Sequence, residues 1–139
     1  MPVVDLMDES FIPAPPVRVA AYFADPAVWR SWWPDLELVV YEDRAAEGIR
    51  WKVSGPLAGQ AEVWIEECGG KGSIVHFFLR ADPPRPYRWR SVARSRRLTH
   101  RYRAAWKARI HALGDRFEAE ASGSVQQAIP GVPRRAGAS

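Results

Sequence analysis

The chain has 139 residues, 47% of them hydrophobic, with seven tryptophans and a formal net charge of +4, which suits one compact domain with a sizeable core and excludes a disordered or fibrous chain. Residues 1–70 hold twelve acids and five bases, and residues 71–139 hold fifteen bases and four acids, so net charges of −7 and +11 combine to the +4 and an anionic partner would meet the C-terminal half. The opening MPVVDLMDES is acidic where a secretory leader is basic, no window is long and apolar enough for a membrane span, and Cys68 stands alone, so a cytoplasmic protein without internal disulfides is expected.

Val3 to Ile12 alternates as a first strand, with Val4, Leu6, Ser10 and Ile12 on one side and Asp5, Met7, Glu9 and Phe11 on the other. Pro13-Ala14-Pro15-Pro16 ends it, and Pro16 can open a short helix through Val17, Ala20, Ala21 and Phe23, because proline is tolerated in a first helical turn. Asp25-Pro26, an N-cap followed by proline, starts a second short helix from Ala27 to Trp32 that Pro34 closes. From there the signals are β. Leu36 to Glu42 reads as a strand, Ile49 to Ser54 alternates as Ile49, Trp51 and Val53 against Arg50, Lys52 and Ser54, and Gly59 to Glu67 alternates as Ala61, Val63 and Ile65 against Glu62, Trp64 and Glu66. Setting Trp51 against Val63 places Arg50 and Lys52 opposite Glu62 and Glu66. The glycine-rich turn Cys68–Gly72 leads into a last strand, Ser73 to Ala81.

Pro83, Pro84 and Pro86 then break the sheet, and Arg85 to Arg97 forms an arginine-rich arm that turns helical near Ser91–Arg94. Leu98, Tyr102, Trp106, Ile110, Leu113 and Phe117 recur at helical spacing and make one apolar stripe along a helix from Leu98 to Phe117. Such a stripe must be buried, and everything upstream is the surface it packs on. Gly114 inside it predicts close backbone packing or a bend. Past Ala121 nothing apolar recurs, so residues 1–121 are expected to be the folded domain and 122–139 a disordered tail.

The order of strand, two short helices, antiparallel meander and long C-terminal helix resembles the helix-grip fold of the START and birch-pollen-allergen (SRPBCC) superfamily, in its polyketide cyclase/dehydrase-like branch. FIPAPPVRVAAYFADPAVWRSWWPDL is similar to that branch's opening, and YEDRAAEGIRWKVSGPLAGQAEVWIEE and HFFLRADP are similar to the meander of a short actinobacterial-type subgroup. The resemblance covers about residues 3–120 and implies an α+β fold whose curved antiparallel sheet holds the long helix on its concave face. Members of the superfamily include lipid carriers and aromatase/cyclases. This chain departs from them by having only the proline- and arginine-rich arm where two last strands usually stand, which predicts five strands in the order 1-5-4-3-2 and a smaller or more open cavity.

With that fold the inner face carries Ile49, Trp51, Val53, Ala61, Val63, Ile65, Val75, Phe77 and Leu79, and the candidate ligand-binding residues are Trp33, Trp51, Val53, Val63, Phe77, Leu79, Tyr102, Trp106 and Ile110. The expected ligand is a hydrophobic small molecule, lipid or polyketide-like, and the competing expectation is a solid core filled by tryptophan. No cofactor and no metal is expected, since His76, His100 and His111 have no ligand spacing with one another or with Cys68. A cyclase-type enzyme is the alternative, although Cys68 with His76 lacks an activating neighbour and Glu62 with Glu66 reads as a solvated ladder beside Arg50 and Lys52. A second alternative is an anion- or nucleic-acid-binding module on the arm 85–103, where arginines interleave with Tyr87, Trp89 and Tyr102. Nucleic acid is the less favoured partner because no recognised motif accompanies the arginines. Trp64, His76 and Phe78 fall on the outer face of the sheet, which predicts a homodimer or a covering arm there.

Overall fold

Alternation of apolar and polar residues builds five strands, β1 (Val4–Ile12), β2 (Glu37–Asp43), β3 (Gly48–Ser54), β4 (Ala58–Glu67) and β5 (Ser73–Asp82), in a computed structural model that describes residues 3–83 and 92–128. They form one antiparallel sheet in the expected order β1-β5-β4-β3-β2. Three α-helices, α1 (Pro16–Ala24), α2 (Pro26–Trp32) and α3 (Val92–Ala128), complete an α+β helix-grip fold. Asp25 caps α2 by accepting the Ala27 N–H at 3.0 Å, with Pro26 in the first turn. That cap lets two helices follow each other with no loop between them.

The inner face is as the alternation requires. Ile49, Trp51, Val53, Ala61, Val63, Ile65, Val75, Phe77 and Leu79 are all buried, joined from β1 by Val4, Leu6 and Ile12. The β3–β4 register differs from expectation by two residues, since Trp51 pairs with Ala61 and Ile49 with Val63. A slip of two leaves every side chain on its face, whereas a slip of one would have inverted the sheet. Two constraints select this register. The turn closes tightly, with Val53 opposite Gly59, and Gly48 at φ 129° begins β3 where an added Cβ would lie 2.0 Å from the Val63 carbonyl oxygen. The outer ladder changes accordingly. Arg50 holds Glu62 through Nε at 3.2 Å and Glu42 at 3.0 Å, Lys52 faces Gln60, and Glu66 turns instead to His76 at 3.0 Å.

At 37 residues α3 is about 55 Å long. It starts six residues before the apolar stripe and ends eleven after it, continuing past Ala121 where a tail was expected. Up to residue 121 the helix is supported by the helix-forming run Glu118–Ala121 and by two contacts to Glu120, from Arg18 at 2.8 Å and from Arg116 at 3.6 Å. The expected tail from residue 129 and the arm from 84 to 91, with Tyr87 and Trp89, lie outside the described residues. Tyr102, Trp106, Ile110, Leu113 and Phe117 are buried and Leu98 packs partly buried against them. Gly114 sits over Ile12, where an added Cβ would stand 3.4 Å from Cδ1, so the helix meets β1 at ordinary contact distance. Trp106 is the centre of this seam, and Trp106→Ala is expected to lower unfolding stability by about 3–5 kcal/mol in urea melts. An unchanged midpoint would show that α3 does not depend on the stripe.

Candidate functional site

The nine candidate ligand-binding residues are brought together as one buried cluster under α3. Trp51 and Val53 come from β3, Val63 from β4, Phe77 and Leu79 from β5, and Tyr102, Trp106 and Ile110 from α3. Trp33 is the C-cap of α2, its N–H bonded to the Trp29 carbonyl at 2.9 Å. Its ring lies nearly parallel to Phe77 at 5.2 Å and to Trp106 at 6.2 Å, while Phe77 and Trp106 stack at 4.2 Å. Trp29 and Trp33 lie edge-on to Trp51 at 5.4 and 5.9 Å. In this arrangement indoles occupy the centre of the space between sheet and helix.

Polar atoms in this interior are few, and each bears on chemistry. Asp8, on the inner side of β1, was not singled out by the sequence. Its side chain is only 10% exposed, and it accepts hydrogen bonds from Trp106 Nε1 at 2.7 Å and Ser10 Oγ at 3.0 Å while Lys107 Nζ stands at 2.9 Å. Burial by itself would raise the Asp8 pKa, but the hydrogen bonds from Lys107, Trp106 and Ser10, with the Lys107 charge, outweigh it and hold the carboxyl below its ordinary value. The signal was legible in principle. Asp8 falls between Leu6 and Ser10 in the inward-facing set, and an inward acid demands donors from the element packed on it. Tyr102 donates its hydroxyl to Asp35 at 2.8 Å, and burial followed by that carboxylate raises its pKa. Trp51 differs from both. Its indole nitrogen is buried and has no hydrogen-bond partner.

The sheet's outer face holds a second cluster. His76 stacks on Trp64 at 4.2 Å and lies between Glu9 at 3.2 Å and Glu66 at 3.0 Å. Met7 and Phe11 beside it are 62% and 49% exposed. Cys68 and His76 are separated along β5 and its turn, and His100 and His111 are exposed on α3. Among the described residues no three metal-type side chains converge. Three open grooves between elements are notable among the described residues. One of about 290 Å³ runs between α1 and the turn Ala45–Gly48, one of about 310 Å³ crosses the outer sheet at Tyr41, Glu62 and Phe78, and one of about 490 Å³ lies between α2 and α3, floored by Trp32 and Leu113 and rimmed by Arg109 and Arg116. None of the nine cluster residues lines any of these three.

No family model and no curated protein matches the sequence. Solved structures do match in shape: the DR_A0006 protein of Deinococcus radiodurans (13% identity, 76% of this chain and 93% of that one, TM-score 0.54), the Aha1 dimer of Colwellia psychrerythraea (12%, 80% and 96%, 0.57) and the TTHA0849 protein of Thermus thermophilus (18%, 84% and 98%, 0.52). At these identities the likeness is one of fold, and it agrees with the helix-grip architecture. No helix among the described residues is long and apolar enough to cross a membrane.

Asp8 generates a pH dependence whose sign follows from its lowered pKa. Its contribution to stability is full above the unfolded carboxylate value of about 3.9 and is lost as the pH falls through the lower folded value. Asp8→Asn is therefore expected to destabilise at pH 7, by about 1.5–3 kcal/mol for bonds to a charged group, and the gap to wild type should close in urea melts towards pH 2. A gap that stays constant with pH would mean that the Asp8 charge does not hold Trp106 and Lys107.

Proposed function

We propose that the protein binds a hydrophobic small molecule, of lipid or polyketide type, against the aromatic cluster between the sheet and α3, as a member of the polyketide cyclase/dehydrase-like branch that its sequence resembles. One observation carries this: the Trp51 indole N–H is fully buried and lacks an acceptor, whereas the inward Asp8 and Tyr102 are satisfied. A buried donor without a partner costs about 1–3 kcal/mol, and a ligand oxygen seated among Trp29, Trp33 and Trp51 would remove that cost. A cyclase-type reaction would need an interior acid or base free to exchange a proton with the ligand. Asp8, tied to three donors and held ionised, does not offer one.

The test is native mass spectrometry of the purified protein, followed by titration of tryptophan fluorescence with fatty acids of increasing chain length. Saturable quenching is expected, and Trp51→Phe, which keeps a ring but removes the donor, should weaken it by about three- to tenfold, the worth of one hydrogen bond. No co-purifying mass and no saturable quenching with any chain length would end the proposal.

The partner we propose for the outer sheet face is a second copy of the chain. Met7 and Phe11 on β1 are cross-strand neighbours of Phe78 and Ile74 on β5, so two apolar pairs stand on the outer face on either side of the Glu9–His76 pair, with Asp5 and Arg80 beyond Met7. Apolar side chains set among opposite charges suit a two-fold contact. Light scattering of wild type should give the mass of two chains and Met7→Glu the mass of one, with an unchanged melting temperature. A single-chain mass for both would remove the dimer.

A further inference from the structure

The groove of about 490 Å³ between α2 and α3 is left open by the residues that border it. On α3 these are Ala105, Ala108, Arg109, Ala112, Leu113 and Arg116, which fall within about 140° of arc on one flank of the helix, beside the Trp106 stripe. Three of these six are alanines. Where two helices face each other, leucine-sized side chains close the space to interior density, and methyl groups alone leave a trough. Its floor, by contrast, belongs to the core. Leu113 and Trp32 are each 4% exposed, and the Trp32 ring is fixed edge-on against Phe23 at 5.1 Å and Trp106 at 5.3 Å. An apolar bed of preset shape therefore lies open along the outside of the helix pair.

Two polar groups at this bed lack partners. The Trp29 and Trp106 nitrogens donate to the Phe23 carbonyl and to Asp8, but the Trp32 nitrogen has no hydrogen-bond partner among the described residues. Unlike that of Trp51 it is not sealed from the surface, and its ring lines the groove. Arg109 is exposed at the rim and forms no ion pair among the described residues, whereas Arg116 is occupied by Glu120 at 3.6 Å. None of the lining residues is acidic. An indole N–H and a guanidinium, both donors with no acceptor beside them, match an anion with more than one oxygen, and a carboxylate supplies two in one plane. The bed limits what that carboxylate carries. From Ala105 to Ala112 the helix rises about 10 Å, the length of one short acyl chain or ring system. A bilayer or a nucleic-acid duplex is too broad to reach a floor that is 4% exposed. We propose that this groove binds a small amphiphilic carboxylate, its charged end on Arg109 and the Trp32 N–H and its apolar body on Ala105, Ala108 and Ala112.

None of the nine interior residues lines this groove, so the site goes beyond the interior binding proposed above and the two fail separately. Titration of isotope-labelled protein with sodium octanoate, read on the indole N–H signals of its seven tryptophans, tests it. A saturable shift of the Trp32 signal is expected. Acetate, which lacks the apolar body, and octan-1-ol, which lacks the charge, should leave that signal in place at matched concentration. Arg109→Gln, an exposed change outside the core, should weaken octanoate binding by about tenfold or more, as befits a hydrogen bond to a charged group, with an unchanged thermal melt. Ala112→Leu, which fills the trough, should abolish it. Trp51→Phe should leave the Trp32 shift as in wild type, which separates this site from the interior one. A Trp32 signal that octanoate does not move would overturn the proposal, as would equal affinity of Arg109→Gln, an equal response to octan-1-ol, or loss of the Trp32 shift in Trp51→Phe. The comparison of the three small molecules needs only wild type and stays decisive if a variant fails to fold.

Discussion

The contact on which the rest of the molecule depends is the seating of Trp106 between Phe77 and Asp8. Its indole is fully buried, stacked on Phe77 at 4.2 Å, and its N–H is bonded to a carboxylate on β1 at 2.7 Å. An apolar stripe alone would hold α3 to the sheet without fixing where. A helix slid by one turn along its axis still offers the sheet a large apolar side chain every three or four residues, so hydrophobic burial discriminates weakly between such registers. The directed bonds do discriminate. Trp106 and Lys107 reach the two oxygens of Asp8 together, and Ser95 donates to the Val3 carbonyl at the other end of β1. Such bonds form at one rotation and one height of the helix only, which is how polar groups in an apolar seam specify arrangement rather than add bulk stability.

From that seam the aromatic interior follows. A five-stranded sheet encloses less space than a seven-stranded one, and the chain fills it with Trp29, Trp32, Trp33, Trp51 and Trp106 together with Phe23 and Phe77. Rings pack edge-to-face and offset, each pair adding about 0.5–1.5 kcal/mol to the area it buries. These contacts run without a break from α1 through α2 to α3: Phe23 touches Trp32 and Trp106, and Trp32 touches Trp33. A displacement of Trp33 is therefore felt along both short helices. Among the described residues, the Trp51 nitrogen is the indole nitrogen that is both fully buried and without a partner.

Charge is partitioned with equal consistency. The acids of the N-terminal half are largely consumed in cross-strand work, Glu62 by Arg44 and Arg50, Glu42 by Arg50, Asp5 by Arg80, and Glu9 with Glu66 by His76. At half-exposed positions such pairs contribute little each, about 0–1 kcal/mol, but they set the neighbours of every outer-face residue. Fewer of the α3 bases have such partners among the described residues, so the positive charge of that helix is spread over its exposed surface and spares only the buried stripe.

Much of this was legible from the residues in order. Period-two alternation placed each strand and its inner face, Asp25-Pro26 marked the start of α2, and helical spacing from Leu98 to Phe117 named the buried stripe, because side-chain direction is a local property of backbone geometry. The order of β2 to β5 followed from antiparallel connections of a few residues, and the place of β1 beside β5 from the resemblance to the helix-grip fold. Three features had to wait for the tertiary structure. The β3–β4 register depended on how closely Gly48 can approach Val63, the bond between Asp8 and Trp106 joins residues 98 positions apart, and the orphaned Trp51 nitrogen became visible only once all its neighbours were in place. The sequence by itself determined which side chains must leave water, since that preference belongs to each residue and its spacing. Which of them meet, and which polar atom is left without a partner, only the tertiary structure decided, because a hydrogen bond depends on the distance and direction between atoms that the chain order leaves open.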